Sequence, residues 1–137
     1  MASILSPYLT FSGNTLEAIG FYQSVLGGEV TSNTFRDYGN DIDGIMHAQL
    51  TTDAGYTIMA SDAFGGDDVK LGNNVTLTLS GDDPILREYF AALSVGGTVV
   101  TPLEPQMWGD EYGMLIDKFG IPWMVNLSPA TSPGDDA

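Results

Sequence analysis

His47 is the single histidine of this chain, and there is no cysteine. One imidazole cannot build a histidine-rich metal centre, and the missing thiols exclude a disulfide framework, a cysteine nucleophile and a thiolate site. Three readings of His47 stay open: a structural imidazole bonded to backbone or carboxylate groups, a ligand-contacting or acid–base group that titrates near neutral pH, and a lone metal ligand. Asp62 reads as a turn or cap residue, or as a partner for a cationic ligand. The carboxylate pairs Asp67-Asp68 and Asp82-Asp83 lie in polar turns, and a helix cap explains Asp83 better than paired-carboxylate chemistry does. Gly65-Gly66 sits in an acidic loop rather than between a strand and a helix, so it is no phosphate cradle. No serine stands in a nucleophile elbow.

Charge limits the partners. The 137 residues carry 18 acids against four bases, a formal charge of −14. Without a cationic cluster the chain is not expected to bind nucleic acid or an anionic membrane surface. The excess acid serves solubility, or attracts a cationic ligand. At 43% hydrophobic residues the chain is expected to fold. No stretch has the length of a transmembrane helix or the pattern of a secretory signal, and a cytoplasmic setting is expected.

The elements that position these residues come from an internal repeat. Leu9-Thr10-Phe11-Ser12-Gly13-Asn14 returns 68 positions later as Leu77-Thr78-Leu79-Ser80-Gly81-Asp82. Gly27-Gly28 returns as Gly96-Gly97, and Gly55-Tyr56-Thr57-Ile58-Met59 as Gly120-Ile121-Pro122-Trp123-Met124. Residues 4–11 read as a strand. Asn14 and Glu17 form a capping box for a helix whose apolar face is Ala18, Ile19, Tyr22, Val25 and Leu26. Gly27-Gly28 ends it. Strands follow at 29–35, 45–51 and 56–60, around a polar loop at 36–44 and a tight turn at 53–55. After a Gly/Asp/Asn-rich connection at 64–74, the second half repeats the order. A strand spans 75–79. A helix capped by Asp83, with Pro84 in its first turn, buries Leu86, Tyr89, Phe90 and Leu93. Strands follow at 99–103, 113–116 and 121–127. The predicted fold class is α+β: two βαβββ modules in tandem, about 4–62 and 75–127, forming a curved mixed sheet with helices outside. Residues 1–128 are read as one domain, and 129–137 as a disordered tail.

Alternation selects the faces. If Leu9, Phe11, Leu77 and Leu79 pack under helices, then Tyr8, Thr10, Thr76 and Thr78 face the concave side. His47 and Gln49 share a face against Met46, Ala48 and Leu50. Thr57 pairs with Met59 in the same way, and Pro122 and Asn126 with Met124. The methionines suit an adaptable apolar lining. Trp108 and Trp123 read as packing or as ligand platforms.

The paired plan resembles the vicinal oxygen chelate superfamily of glyoxalase I, extradiol dioxygenases and the bleomycin- and fosfomycin-resistance proteins, and within it the PhnB-like branch. The stretches that carry this are Tyr8-Leu9-Thr10-Phe11, Phe21-Tyr22-Gln23-Ser24-Val25-Leu26-Gly27-Gly28, Met46-His47-Ala48-Gln49-Leu50, Met59-Ala60-Ser61-Asp62, Gly96-Gly97, Trp108-Gly109 and Asp117-Lys118-Phe119-Gly120-Ile121-Pro122-Trp123. The resemblance implies a homodimer. It also implies a test, because metal-dependent members hold one divalent ion with His, Glu or Gln on the first and fourth strands of each module. The matching positions here are Pro7 or Tyr8 with Met59, and Val75 or Thr76 with Met124. None is a standard ligand for such an ion. The expectation is a small-molecule-binding protein without the metal and without another cofactor, with ligand-binding candidates Tyr8, Thr10, His47, Gln49, Met59, Thr76, Trp108 and Met124. Alternatives are a glyoxalase-like lyase or isomerase, with His47 the only catalytic candidate, and sequestration of a cationic drug of the bleomycin class.

Overall fold

The computed structural model describes residues 3–63 and 69–129. The chain divides into two compact units, one ending at Lys70 and one starting at Leu71. The Gly65-Gly66 and Asp67-Asp68 readings and the tail beyond residue 129 lie outside the described residues.

In the first unit, β1 (Tyr8–Phe11) leads into α1 (Thr15–Leu26), followed by β2 (Glu29–Thr34), β3 (Ile45–Thr51) and β4 (Thr57–Asp62). The polar loop after β2 opens with a short 3-10 turn at Arg36–Tyr38. The sheet order is β1-β4-β3-β2, with β1 parallel to β4 and the other pairs antiparallel. α1 buries Ala18, Ile19, Tyr22 and Leu26 at the spacing read from the sequence, with Thr15 as a further buried residue. It packs chiefly on β3. Phe11, Ala48, Leu50, Ile58 and Ala60 supply the buried side of the strands.

The helix start differs from expectation. Asn14 makes no side-chain cap bond. Instead Asp62, at the end of β4, accepts hydrogen bonds from the Thr15 N–H (3.1 Å) and the Thr15 hydroxyl (2.7 Å), and its other oxygen accepts from the Ile45 N–H (2.8 Å). A buried carboxylate so satisfied replaces the local capping box, and its charge suits a helix N-terminus. The first strand is also shorter than read: Ile4 and Leu5 precede it and are exposed.

The second unit repeats the plan. β5 (Leu77–Gly81), α2 (Ile85–Leu93), β6 (Thr98–Pro105), β7 (Glu111–Ile116) and β8 (Pro122–Leu127) form a sheet of order β5-β8-β7-β6. α2 starts at Ile85 with Pro84 at its N-cap, and Asp83 just before it accepts from the Ile85 N–H at 3.0 Å. Leu86, Phe90 and Leu93 are buried, and Tyr89 only partly. Asp117 organises the β7–β8 turn, accepting from the N–H groups of Phe119 (2.8 Å) and Ile121 (3.1 Å) and from the buried Trp123 indole (2.8 Å). Trp123 is therefore core packing, whereas Trp108 stands at the β6–β7 hairpin tip and is 59% exposed.

β5 begins two residues later than the alternation suggested. Val75 is 71% exposed and precedes the strand, as does Thr76. The reason is the pairing with β8, which starts at Leu77 opposite Trp123. Alternation marks a face, but the partner strand decides where the strand begins.

Candidate site on the helix-distal sheet faces

In each unit one face of the sheet is covered by its helix and the other is not. In the first unit, strand register places Tyr8, Met59, Gln49 and Thr31 in one row across β1, β4, β3 and β2. The next row holds Thr10 with Ser61, and His47 with Asn33. All point away from the buried residues Phe11, Ala48, Leu50, Ile58 and Ala60, because side chains alternate along a strand. The five expected residues of this unit, Tyr8, Thr10, His47, Gln49 and Met59, therefore share one face. Thr31, Asn33 and Ser61 join them. Nothing in their types singled them out, and only the strand pairing does.

Tyr8 and His47 are in contact across the rows. The phenol oxygen lies 3.4 Å from His47 Nδ1, and the ring centroids are 5.8 Å apart at 40°. Tyr8 is 51% exposed despite its ring, so it is available to a ligand.

In the second unit the equivalent rows are Thr78, Met124, Met114 and Thr101, then Ser80, Asn126, Tyr112 and Glu104. Trp108 meets Tyr112 edge-on at 6.2 Å, and the Asn126 amide donates to Asp110 at 2.8 Å. Met124 and Trp108 thus belong to one neighbourhood. Thr76 does not: it lies outside β5, and the residue opposite Met124 is Thr78. A shallow surface depression of this unit, bordered by Asp82, Arg87, Glu111 and Ser128, includes none of the expected residues.

The donor set of the four matched positions, with the second corrected by register, is a phenol, two thioethers and a hydroxyl: Tyr8, Met59, Met124 and Thr78. Thioethers favour soft ions, whereas metal-dependent relatives are expected to hold their divalent ion with His, Glu or Gln. Among the described residues no group of three His, Asp or Glu is placed to hold a metal ion. These residues do not fit the superfamily metal.

Among the described residues no Lys or Arg stands on the paired strand rows of either sheet. Arg36 bonds Asp41 and Asp43 in the turn after β2, and hydrogen bonds to Asp43 and Asp41 hold its guanidinium above the usual range. Arg87 on α2 bonds Glu111 on β7, which raises Arg87 and holds the Glu111 carboxyl below its usual range. On the first unit's rows the one acid is Glu29, opposite Thr51 at the far end of β2. The second unit's rows carry Glu104, with Asp110 beside Asn126. Among the described residues no helix is long and apolar enough to cross a membrane.

Known proteins share this plan. Protein YjdN of Escherichia coli (strain K12) is 30% identical over 139 aligned residues, covering 90% of this chain and 94% of YjdN. The crystal structure of PA1353 from Pseudomonas aeruginosa matches with a TM-score of 0.84 at 34% identity, over 94% of this chain and 100% of PA1353. The PhnB protein of Bacillus cereus matches with a TM-score of 0.75 at 21% identity, over 92% of this chain and 100% of that one, a likeness of fold. The family model described as Glyoxalase/Bleomycin resistance protein/Dioxygenase superfamily matches residues 5–125, across both βαβββ units. With that match and the YjdN identity added to the strand order, the chain belongs to the glyoxalase/bleomycin resistance protein/dioxygenase superfamily.

Proposed function

We propose that this chain is a small-molecule-binding protein of the PhnB-like type, whose helix-distal sheet faces carry the ligand without the superfamily's divalent ion. The observation behind this reading is the register itself. Tyr8 with Met59, and Thr78 with Met124, occupy the rows where metal-binding relatives are expected to carry their ligands. Thioether and hydroxyl groups suit contact with an organic molecule better than coordination of a hard ion. Equilibrium dialysis against Mn²⁺, Ni²⁺ and Zn²⁺, followed by elemental analysis, tests it. The expected result is no stoichiometric ion after dialysis, and one tightly held divalent ion per chain overturns the reading. A cytoplasmic homodimer belongs to the same proposal; light scattering coupled to size exclusion checks the dimer, and cell fractionation the compartment.

The contact between Tyr8 and His47 favours one second reading, a metal-free lyase or isomerase with His47 as its base. Loss of turnover in His47→Gln with ligand binding retained would mark that activity. Sequestration of a cationic drug of the bleomycin class draws on the net charge and on Glu104 and Asp110. Salt-sensitive binding of a cationic glycopeptide tests it, and no binding at low salt excludes it.

A further inference from the structure

The first unit's face has a chemical character that follows from Tyr8 and His47. Only one ring nitrogen of a neutral imidazole carries a proton, and the partner of the other nitrogen decides which. The phenol of Tyr8 faces Nδ1 at 3.4 Å. In a neutral pair the phenol O–H is the better donor and an imidazole nitrogen the better acceptor. With Tyr8 donating to Nδ1, the neutral ring carries its proton on Nε2 and presents an N–H, not a lone pair, to a ligand.

The residues that share its row and the next are uncharged. Asn33 is its partner on β2, Thr10 and Ser61 share its row, and Gln49, Met59 and Thr31 form the row beside it. Two acids stand near these rows: Glu29, two residues along β2 from Thr31, and Asp37, whose carboxylate accepts from the Thr34 N–H (2.8 Å) next to Asn33. No Lys or Arg stands on these rows, and the two arginines are held in ion pairs elsewhere. An anion would find no countercharge here, in a chain that already carries −14. A cation would find Glu29 about 7 Å along β2 from Thr31, and the Asp37 carboxylate next to Asn33.

We infer that the helix-distal face of the first unit binds a molecule without negative charge that presents a carbonyl or amide oxygen to the His47 Nε2–H, with Tyr8 as the positioning residue that fixes this tautomer. The inference rests on the reading of that face as ligand-bearing and adds the class of ligand. Carboxamides of Gln49 and Asn33 can meet further polar atoms, and the Met59 thioether and Tyr8 ring can meet apolar ones. His47 then acts as a hydrogen-bond donor that polarises a carbonyl, which is the opposite of a proton-abstracting base.

Benzamide, benzoate and benzamidinium share one ring; benzoate adds a negative charge and benzamidinium lacks the acceptor oxygen, so they separate these cases. The full-length ¹⁵N-labelled protein has one imidazole, whose long-range ¹H–¹⁵N spectrum reads the tautomer directly. The expected wild-type spectrum is that of the Nε2–H form, and an Nδ1–H form overturns the role of Tyr8. Benzamide is expected to move the signals of His47, Gln49 and Asn33, with benzoate and benzamidinium each at least tenfold weaker at His47. Tyr8→Phe is expected to mix the tautomers and weaken benzamide about fivefold, the equivalent of one hydrogen bond. If that variant does not fold, the wild-type tautomer and the three-probe comparison still decide. Benzoate or benzamidinium moving His47 as strongly as benzamide refutes this ligand class and leaves the ligand-bearing face intact. Silence of the His47, Gln49 and Asn33 signals toward all three probes overturns both the inference and the ligand-bearing reading of this face.

Discussion

Gly28 and Gly97 make the same contact in their two units. A Cβ built on Gly28 would lie 2.1 Å from the Thr51 carbonyl oxygen, and one built on Gly97 would lie 2.2 Å from the Ile116 carbonyl oxygen. Each glycine brings the chain leaving a helix hard against the end of the unit's third strand, so each sets the start of an edge strand, β2 or β6. Backbone is the obstacle at both places, and no side chain can move aside. Gly28→Ala and Gly97→Ala are each expected to cost about 2 kcal/mol or more, with Gly28→Ala the worse because its φ of 107° is also unfavourable for any other residue. Urea denaturation of the two variants checks this.

Asp62 ties the start of α1 to the start of β3. Asp62→Ala leaves the Thr15 N–H, the Thr15 hydroxyl and the Ile45 N–H without their acceptor in a buried place. The expected loss is about 3 kcal/mol. Amide exchange at Thr15 and Ile45 is expected to accelerate more than exchange elsewhere in the first unit, which separates this effect from general destabilisation.

Asp117 does the equivalent work in the second unit, and Trp123 reports on it. Asp117→Ala removes the acceptor of a buried indole N–H and of two turn amides. Stability is expected to fall by about 2–3 kcal/mol. Before any unfolding, the indole emission is expected to shift to the red as water reaches the nitrogen, and fluorescence at zero denaturant measures it.

The Arg87–Glu111 pair predicts a pH effect of definite sign. Hydrogen bonding to Arg87 holds the Glu111 carboxyl below its usual range. The pair therefore adds stability above the ordinary carboxylate range and loses it as pH falls through the lowered value. Glu111→Gln is expected to lower the melting temperature slightly at neutral pH and not at all at strongly acid pH. The neutral-pH difference is expected to shrink in high salt, because the pair is exposed.

Much of this architecture was legible in the residues. Ala18, Ile19, Tyr22 and Leu26 recur at helical spacing and are buried, and the alternation in Ala48-Gln49-Leu50 separates buried from half-buried side chains. It fails at Met46, which is half-buried like His47 beside the bulge in β2. The cap of α1 was hidden because its acceptor stands 47 residues from Thr15. Local pattern favoured Asn14, and tertiary structure supplied Asp62. The repeat also misled in one place. Ala63 N–H donates to the Phe11 carbonyl, and Ser128 N–H to that of Gly81, so residues 65 apart meet partners 70 apart. Sequence similarity had aligned the first strands at 68, which put Thr76 in the row that Thr78 holds. Strand pairing is a contact between distant segments, and a two-residue slip keeps the alternation intact while changing which side chain is opposite which.

Both tryptophans belong to the second unit, and the lone histidine to the first. The chain therefore carries a separate built-in reporter in each half. Indole fluorescence follows the unfolding of residues after Leu71 alone, while the imidazole resonances follow the half before it. Overlaid denaturation curves from the two signals measure, without any label, how far the duplicated halves melt as one cooperative body.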